Sequence, residues 1–194
     1  MLTNKERRIE RRFEETLAFH CAPAMAGIKA ADLISWPGTA ADTEGLLTRC
    51  AAGLAAAGIS FRLLRFRRDR SLILVYRRER LAAQLAREEV NTLLARDGYP
   101  AGGQVEAMLD HLSLRMAQLG DFPHEVGLFL GYPVEDVEGF RKHNGQDYKY
   151  SGLWKVYSDV AQAQACFYRY HCCRKALSRR VQSGCPLAQV FRAA

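Results

Sequence analysis

The 194-residue chain holds six cysteines, yet none of them form a CxxC pair. A zinc ribbon and a thioredoxin-type redox motif are therefore without support. No apolar run is long enough to span a bilayer. The opening MLTNKERRIERRFEETLAFH is charged where a secretory leader carries an apolar core. No GxGxxG follows a strand and there is no P-loop, which disfavours a dinucleotide-binding or Walker-type fold. There is no internal repeat, and the alanine-rich AAGLAAAG is simply helical. These absences lead us to expect a soluble, cytoplasmic protein with reduced thiols. Residues 1–194 read as a single globular domain.

What is present is ordinary globular material, 48% hydrophobic and 25% charged. Twenty-eight basic residues against 21 acidic ones give a formal charge of +7. The arginines concentrate near the N-terminus and in FRLLRFRRDRSLILVYRRER. Such clusters attract phosphates and nucleic acid. No helix-turn-helix, RRM or zinc-finger pattern accompanies them, so the plainer reading is the solvated face of a hairpin.

Apolar spacing predicts a helix over Asn4 to Phe19, with Ile9, Phe13 and Leu17 on one face. HCAPAMAGIK interrupts it, Pro23 biasing Ala22 toward extended geometry. AADLIS is expected to be a short helix ended by WPGT. Thr43 is the expected cap of the next helix, stopped at Gly58. ISFRLLRF and SLILVYR read as a hairpin, and the second run, apolar on both faces, as the central strand. Helices are expected over Glu79 to Ala95 and from Gly103 to Leu119, ending at Gly120. EVGLFLGY reads as a strand, PVEDVEGFRKHNG as a short helix with Pro at its start, and GLWKVYS as another strand. Asp159 should cap a long final helix to about Gln182, stopped by SGCP. The expected class is α+β: a small mixed β-sheet with a central hairpin, flanked by several helices.

Three segments taken together, HCAPAMAGIKAADL, FPHEVGLFLGYPVEDVEGF and GLWKVYSD, resemble the signatures of an uncharacterised bacterial family, domain of unknown function 3793. The resemblance runs over nearly the whole chain, and its FPHE-x-G-x-FLGYP-x-x-DV-x-GF block is the most specific part. The closing YRYHCC is similar to a weaker pattern, a tyrosine shortly before a cysteine, with Cys173 at the matching position. The chain departs from the family in being rich in Arg rather than Lys, and in carrying Met25 where leucine is usual. The resemblance implies a shared fold and a shared site; it assigns no reaction.

The candidate catalytic residues are His124, Cys21 and Lys29. A thiol beside an imidazole, as in His20-Cys21, could serve as nucleophile or metal ligand if a cation such as Lys29 lowered its pKa. Neighbours in an extended segment diverge, so the plain alternative is a small buried thiol. His124 needs a partner from elsewhere for acid–base work. Its neighbour Glu125 is a candidate contact that could instead cap a helix or pair with an arginine. VGLFL follows Glu125, which excludes HExxH zinc chemistry. Tyr132 could donate from the mouth of a strand-to-helix turn, or simply pack there. His20, Tyr132 and Glu125 are thus the candidate substrate-binding residues. Cys166, Tyr170 and Cys173 share a face of the last helix; Cys21 and Cys173 are candidate metal ligands if the fold brings them together. Small core residues are the commoner use of such thiols. Trp36 and Trp154 read as core or rim aromatics.

Three functions compete. The first is a binder of, or enzyme acting on, a small molecule or cofactor at a pocket lined by His, Cys, Lys and Tyr. The second is a regulator or adaptor that meets nucleic acid or protein through its arginines. The third is a metal- or haem-binding protein. No motif names a cofactor or an oligomeric state, and no membrane partner is expected.

Overall fold

The computed structural model describes residues 3–118 and 122–192. Helix α1 (Asn4–His20) starts on a capping box: the Glu6 amide donates to the Thr3 hydroxyl at 3.2 Å, and the Thr3 amide donates to the Glu6 carboxylate at 2.7 Å. Phe13, Leu17 and Ala18 form its buried stripe. Cys21 closes α1 and opens the one-turn helix α2 (Ala22–Met25). Pro23 sits in the first turn of α2, where its missing amide is not needed, so Ala22 is helical rather than extended.

AADLIS forms strand β1 (Ala31–Pro37), not a helix. The run is too short for periodicity to distinguish the two, and pairing with a neighbouring strand decides it. Ala31 and Leu33 face one core, Ile34 and Trp36 the other. Helix α3 (Ala40–Leu54) is capped by Thr39, one turn before the expected Thr43. Thr43 is buried inside the helix, donating to the Thr39 carbonyl and accepting from Ser71, both at 2.9 Å. A short 3-10 turn (Ala55–Ala57) ends at Gly58, whose φ of +68° suits glycine.

Strands β2 (Ile59–Arg67) and β3 (Arg70–Arg77) form the expected hairpin. Arg68 and Asp69 turn it, both with positive φ, as a two-residue turn between twisted strands requires. The strand order is β1-β3-β2, with β3 central. The α+β reading holds, but the sheet is antiparallel at both pairings rather than mixed. Leu63 and Leu64 face opposite cores, as neighbours on a strand do, and a bulge shifts the β2–β3 register between Leu63 and Arg65.

The helix expected over Glu79 to Ala95 is two helices, α4 (Arg78–Leu85) and α5 (Glu88–Arg96). Leu81 and Leu85 set one apolar phase and Val90, Leu93 and Leu94 another, with two glutamates between. A straight helix cannot bury both sets, and the break re-aims the second. Helix α6 (Val105–Gln118) follows; its expected end at Leu119 and Gly120 lies outside the described residues.

EVGLFLGY is not a strand. Val126–Phe129 makes one helical turn, α7. Every residue from Glu125 to Leu130 is buried, and a run apolar on all sides carries no period to tell helix from strand. Helix α8 (Val134–Lys142) begins after Pro133 as expected. Within GLWKVYS only Lys155–Val156 is strand, β5, paired with β4 (Tyr150–Ser151). Helix α9 (Val160–Gln182) is capped by Asp159, which accepts from the Gln162 amide at 3.0 Å. A further short helix, α10 (Leu187–Arg192), follows SGCP and was not anticipated.

The core lies on both faces of β3. Ile73 and Val75 point to α1, α2, α3, α9 and α10; Leu74 and Tyr76 point to α4 through α8. No described helix is long and apolar enough to cross a membrane.

Candidate functional site

Five of the candidate residues, Lys29, Cys21, Cys173, Tyr132 and His20, lie within the electrostatic reach of one that sequence reading missed, Asp32. Its carboxylate is buried on β1 and accepts from Lys29 Nζ at 2.5 Å through one oxygen. The other oxygen accepts from the Ala24 amide at 3.1 Å, which caps α2. The Lys29 ammonium is itself buried. It lies 5.5 Å from the ring centre of Tyr132 and 5.8 Å from that of Tyr170, within the range of cation–π attraction. A buried ion pair is stable only where further polar contacts compensate desolvation, and the α2 amide and the two rings do that here.

The same carboxylate shapes its titratable neighbours. Burial, then Asp32, pushes the Cys21 thiol well above its ordinary range, although Lys29 and Arg174 pull the other way. Cys21 is therefore held as a thiol, opposite to what a nucleophile needs. Cys173 is also raised, by burial and then Asp32. Burial and Asp32 push the Tyr132 phenol up to about 12. His20 is exposed at the end of α1, its pKa lowered by partial burial and by Arg174, with Asp32 opposing. Cys21 and Cys173 belong to one apolar core. Among the described residues, no three His, Cys, Asp or Glu side chains gather where they could hold a metal ion.

His124 does not join this cluster. It lines a cavity of about 600 Å3, and Tyr132 is the side chain common to the cavity and the Lys29 cluster. Phe140 stands 5.1 Å from the His124 ring, centre to centre. Trp154 stacks on Tyr132 at 4.6 Å and meets Phe167 edge-on at 4.5 Å. Leu153 and Phe122 stand exposed at the cavity rim. The Lys155 ammonium donates to the Gly145 carbonyl and lies over the rings of Tyr148 and Phe140, at 5.0 and 5.7 Å.

The wall depends on Asp136, which the sequence suggests only as a first-turn acid of a helix. It is buried, and it accepts from Trp154 Nε1 at 2.7 Å and from the amides of Tyr157 and Ser158 at 2.7 and 2.8 Å. One carboxylate thus ties the 154–158 segment to the start of α8. Two glycines let the aromatic rings approach the backbone. A Cβ on Gly127 would come within 3.0 Å of the Tyr132 ring, and one on Gly139 within 2.4 Å of Tyr157. Much of the FPHE…GF block is therefore the packing that builds this wall.

Glu125 points away from the cavity. It is buried between Arg115, Arg141 at 3.4 Å and the Tyr99 hydroxyl at 3.3 Å. This is the arginine pairing that the sequence left open. Arg141 also reaches Asp97, so the network joins α6, α8 and the end of α5. Cys166 lies at a second groove on the α9 side of Trp154, alongside Tyr170.

The cavity is mostly aromatic and aliphatic, with an imidazole and an ammonium at its edge. That arrangement suits a ligand with a flat apolar body and a polar group. The family described as Protein of unknown function (DUF3793) matches residues 17–191. No curated protein and no solved structure matches the chain.

Proposed function

The chain belongs to the DUF3793 family, and from the geometry above we propose that it binds a small, largely apolar molecule in the cavity walled by Tyr132, Trp154 and Phe140. The observation that carries this reading is the cavity itself: about 600 Å3, within the usual range for ligand pockets, with an aromatic wall fixed by Asp136. Tyr132 and Trp154 stack on one another, yet together with Phe140 they still line the cavity. Here they border open space, with His124 and Lys155 placed to orient a polar group. His124 is the cavity side chain best suited to passing a proton to a bound molecule.

Trp154 reports on its own cavity. The chain has two tryptophans, so Trp36→Phe leaves Trp154 as the only one. Neutral planar probes such as N-phenyl-1-naphthylamine should bind saturably and change Trp154 emission. Leu153 is 40% exposed at the rim, so Leu153→Glu should leave the fold intact and weaken binding about tenfold by placing a charge against the apolar body. Equal binding to parent and Leu153→Glu, or no saturable change in Trp154 emission with any probe, overturns the proposal.

A further inference from the structure

A second recess, of about 290 Å3, opens beside the Lys29 cluster. Lys29, Arg80 and Arg87 line it together with Tyr170, and no carboxylate does. The acids that pair with these cations stand outside its lining: Asp32 for Lys29 and Glu89 for Arg87. Arg80 makes no ion pair among the described residues, and it lies across Gly27, its Nε 3.7 Å from where a Cβ would stand. Arg87 is held in place by Glu89 and by Gln84, the latter at 3.4 Å. The Lys29 ammonium has three donor hydrogens, of which Asp32 takes one.

We infer that this recess binds the oxyanion of a small molecule, a phosphate or carboxylate group. An entering oxyanion meets a lining with three cations and no carboxylate. Arg80, which has no ion pair among the described residues, offers a guanidinium for paired hydrogen bonds, while Arg87 adds a second positive group whose Nε and Nη2 are already bonded to Glu89. Lys29 is buried as an ion pair with Asp32, so its share is the donor hydrogens that Asp32 leaves free. The recess shares Arg87, Gly131 and Tyr170 with the groove that reaches Trp154, so the apolar cavity and the cationic recess are neighbours along one surface. The inference does not require the apolar cavity to be filled.

The test uses inorganic pyrophosphate, which has no apolar part and so reads the recess alone. Calorimetric titration of the full chain at low salt should show saturable binding that weakens as salt rises. Arg80→Gln/Arg87→Gln should weaken it about tenfold or more, the loss expected for charge-assisted hydrogen bonds. Both arginines are exposed, so the variant should melt as the parent does. Arg67→Gln/Arg68→Gln, at the tip of the β2–β3 hairpin, removes the same charge elsewhere and should bind as the parent. The inference is overturned by no saturable binding to the parent, by unchanged affinity in the Arg80/Arg87 variant, or by an equal loss in the hairpin variant, which would mark the response as net charge.

Discussion

Asp136 and Asp32 are both buried acids, but Asp32 bonds to Lys29 and Ala24, 3 and 8 residues before it, whereas the partners of Asp136 lie far along the chain. Asp136 stands one residue after Glu135, and local rules give both the same task of favouring a helix N-terminus. The structure separates them: Glu135 is exposed, while Asp136 gathers an indole N–H and two backbone amides from 18 to 22 residues away. Asp136→Ala should strand three donors in a largely closed region. At about 1–3 kcal/mol for an unmet buried donor, with water recovering part, the expected loss of stability is about 3 kcal/mol. Asp136→Asn keeps one acceptor oxygen and should lose less. Urea denaturation, with Trp154 emission followed in a Trp36→Phe background, measures both the stability and the freed indole. An Asp136→Ala protein within about 0.5 kcal/mol of its parent would show that Asp136 does not hold the wall.

The elements legible in the sequence are those whose signals are local. The Asp159 cap, Pro133 at the head of α8, Gly58 after α3 and the β2–β3 hairpin all depend on residues within a turn of each other. AADLIS reads as a helix and folds as a strand, and EVGLFLGY reads as a strand and folds around a helical turn, because their fates are set by distant partners: β1 by pairing with β3, and α7 by burial on every side. Asp32 was missed with β1, since its contact with Lys29 is visible only once the strand and its preceding loop are in place. Cys21, Lys29 and Tyr132 were found as types but not as a cluster. His124 was expected at the same pocket, and a shared Tyr132 is as close as the fold brings it.

Helix α1 offers an element-scale test. Glu14 lies on its half-buried flank, and loss of hydration raises its carboxyl pKa, with Glu10 adding to the shift and the Leu187 amide of α10 opposing it. A raised folded-state pKa means that the ionised carboxylate is penalised in the fold. The penalty is absent below the unfolded-state pKa, grows as pH rises through the raised folded value, and is complete at neutral pH. Glu14→Gln should therefore stabilise the protein at pH 7, by under about 1 kcal/mol because the group is partly in water. The gain should vanish at pH values below the ordinary carboxylate range. Melting temperatures of both proteins across pH 3 to 8 give the comparison, and a gain that does not change with pH would exclude the ionisation as its cause.

At the scale of the molecule, all three strands contribute to both apolar cores, and β3 is the central one that the other two pair with. Ile73 and Val75 belong to the core that holds Trp36; Leu74 and Tyr76 belong to the core against which Tyr132 packs beneath Trp154. A truncation on either side of β3 should be felt on both, because loosening the central strand releases its partners β1 and β2 together. Leu74→Ala should cost about 2–5 kcal/mol, as for a fully buried leucine, and Ile73→Ala a similar amount. The two tryptophans lie on opposite sides, so Trp36→Phe and Trp154→Phe backgrounds each leave a reporter on one core. With Leu74→Ala in either background, the urea midpoint should fall by the same amount, as a cooperative transition demands. If the Trp154 midpoint moved while the Trp36 midpoint stayed, the two cores would be separate folding units, and the cavity could open without loss of the rest. Coincident midpoints would instead mean that the wall around Trp154 is only as stable as the whole chain, so that ligand binding at the cavity should raise the melting temperature of the entire protein.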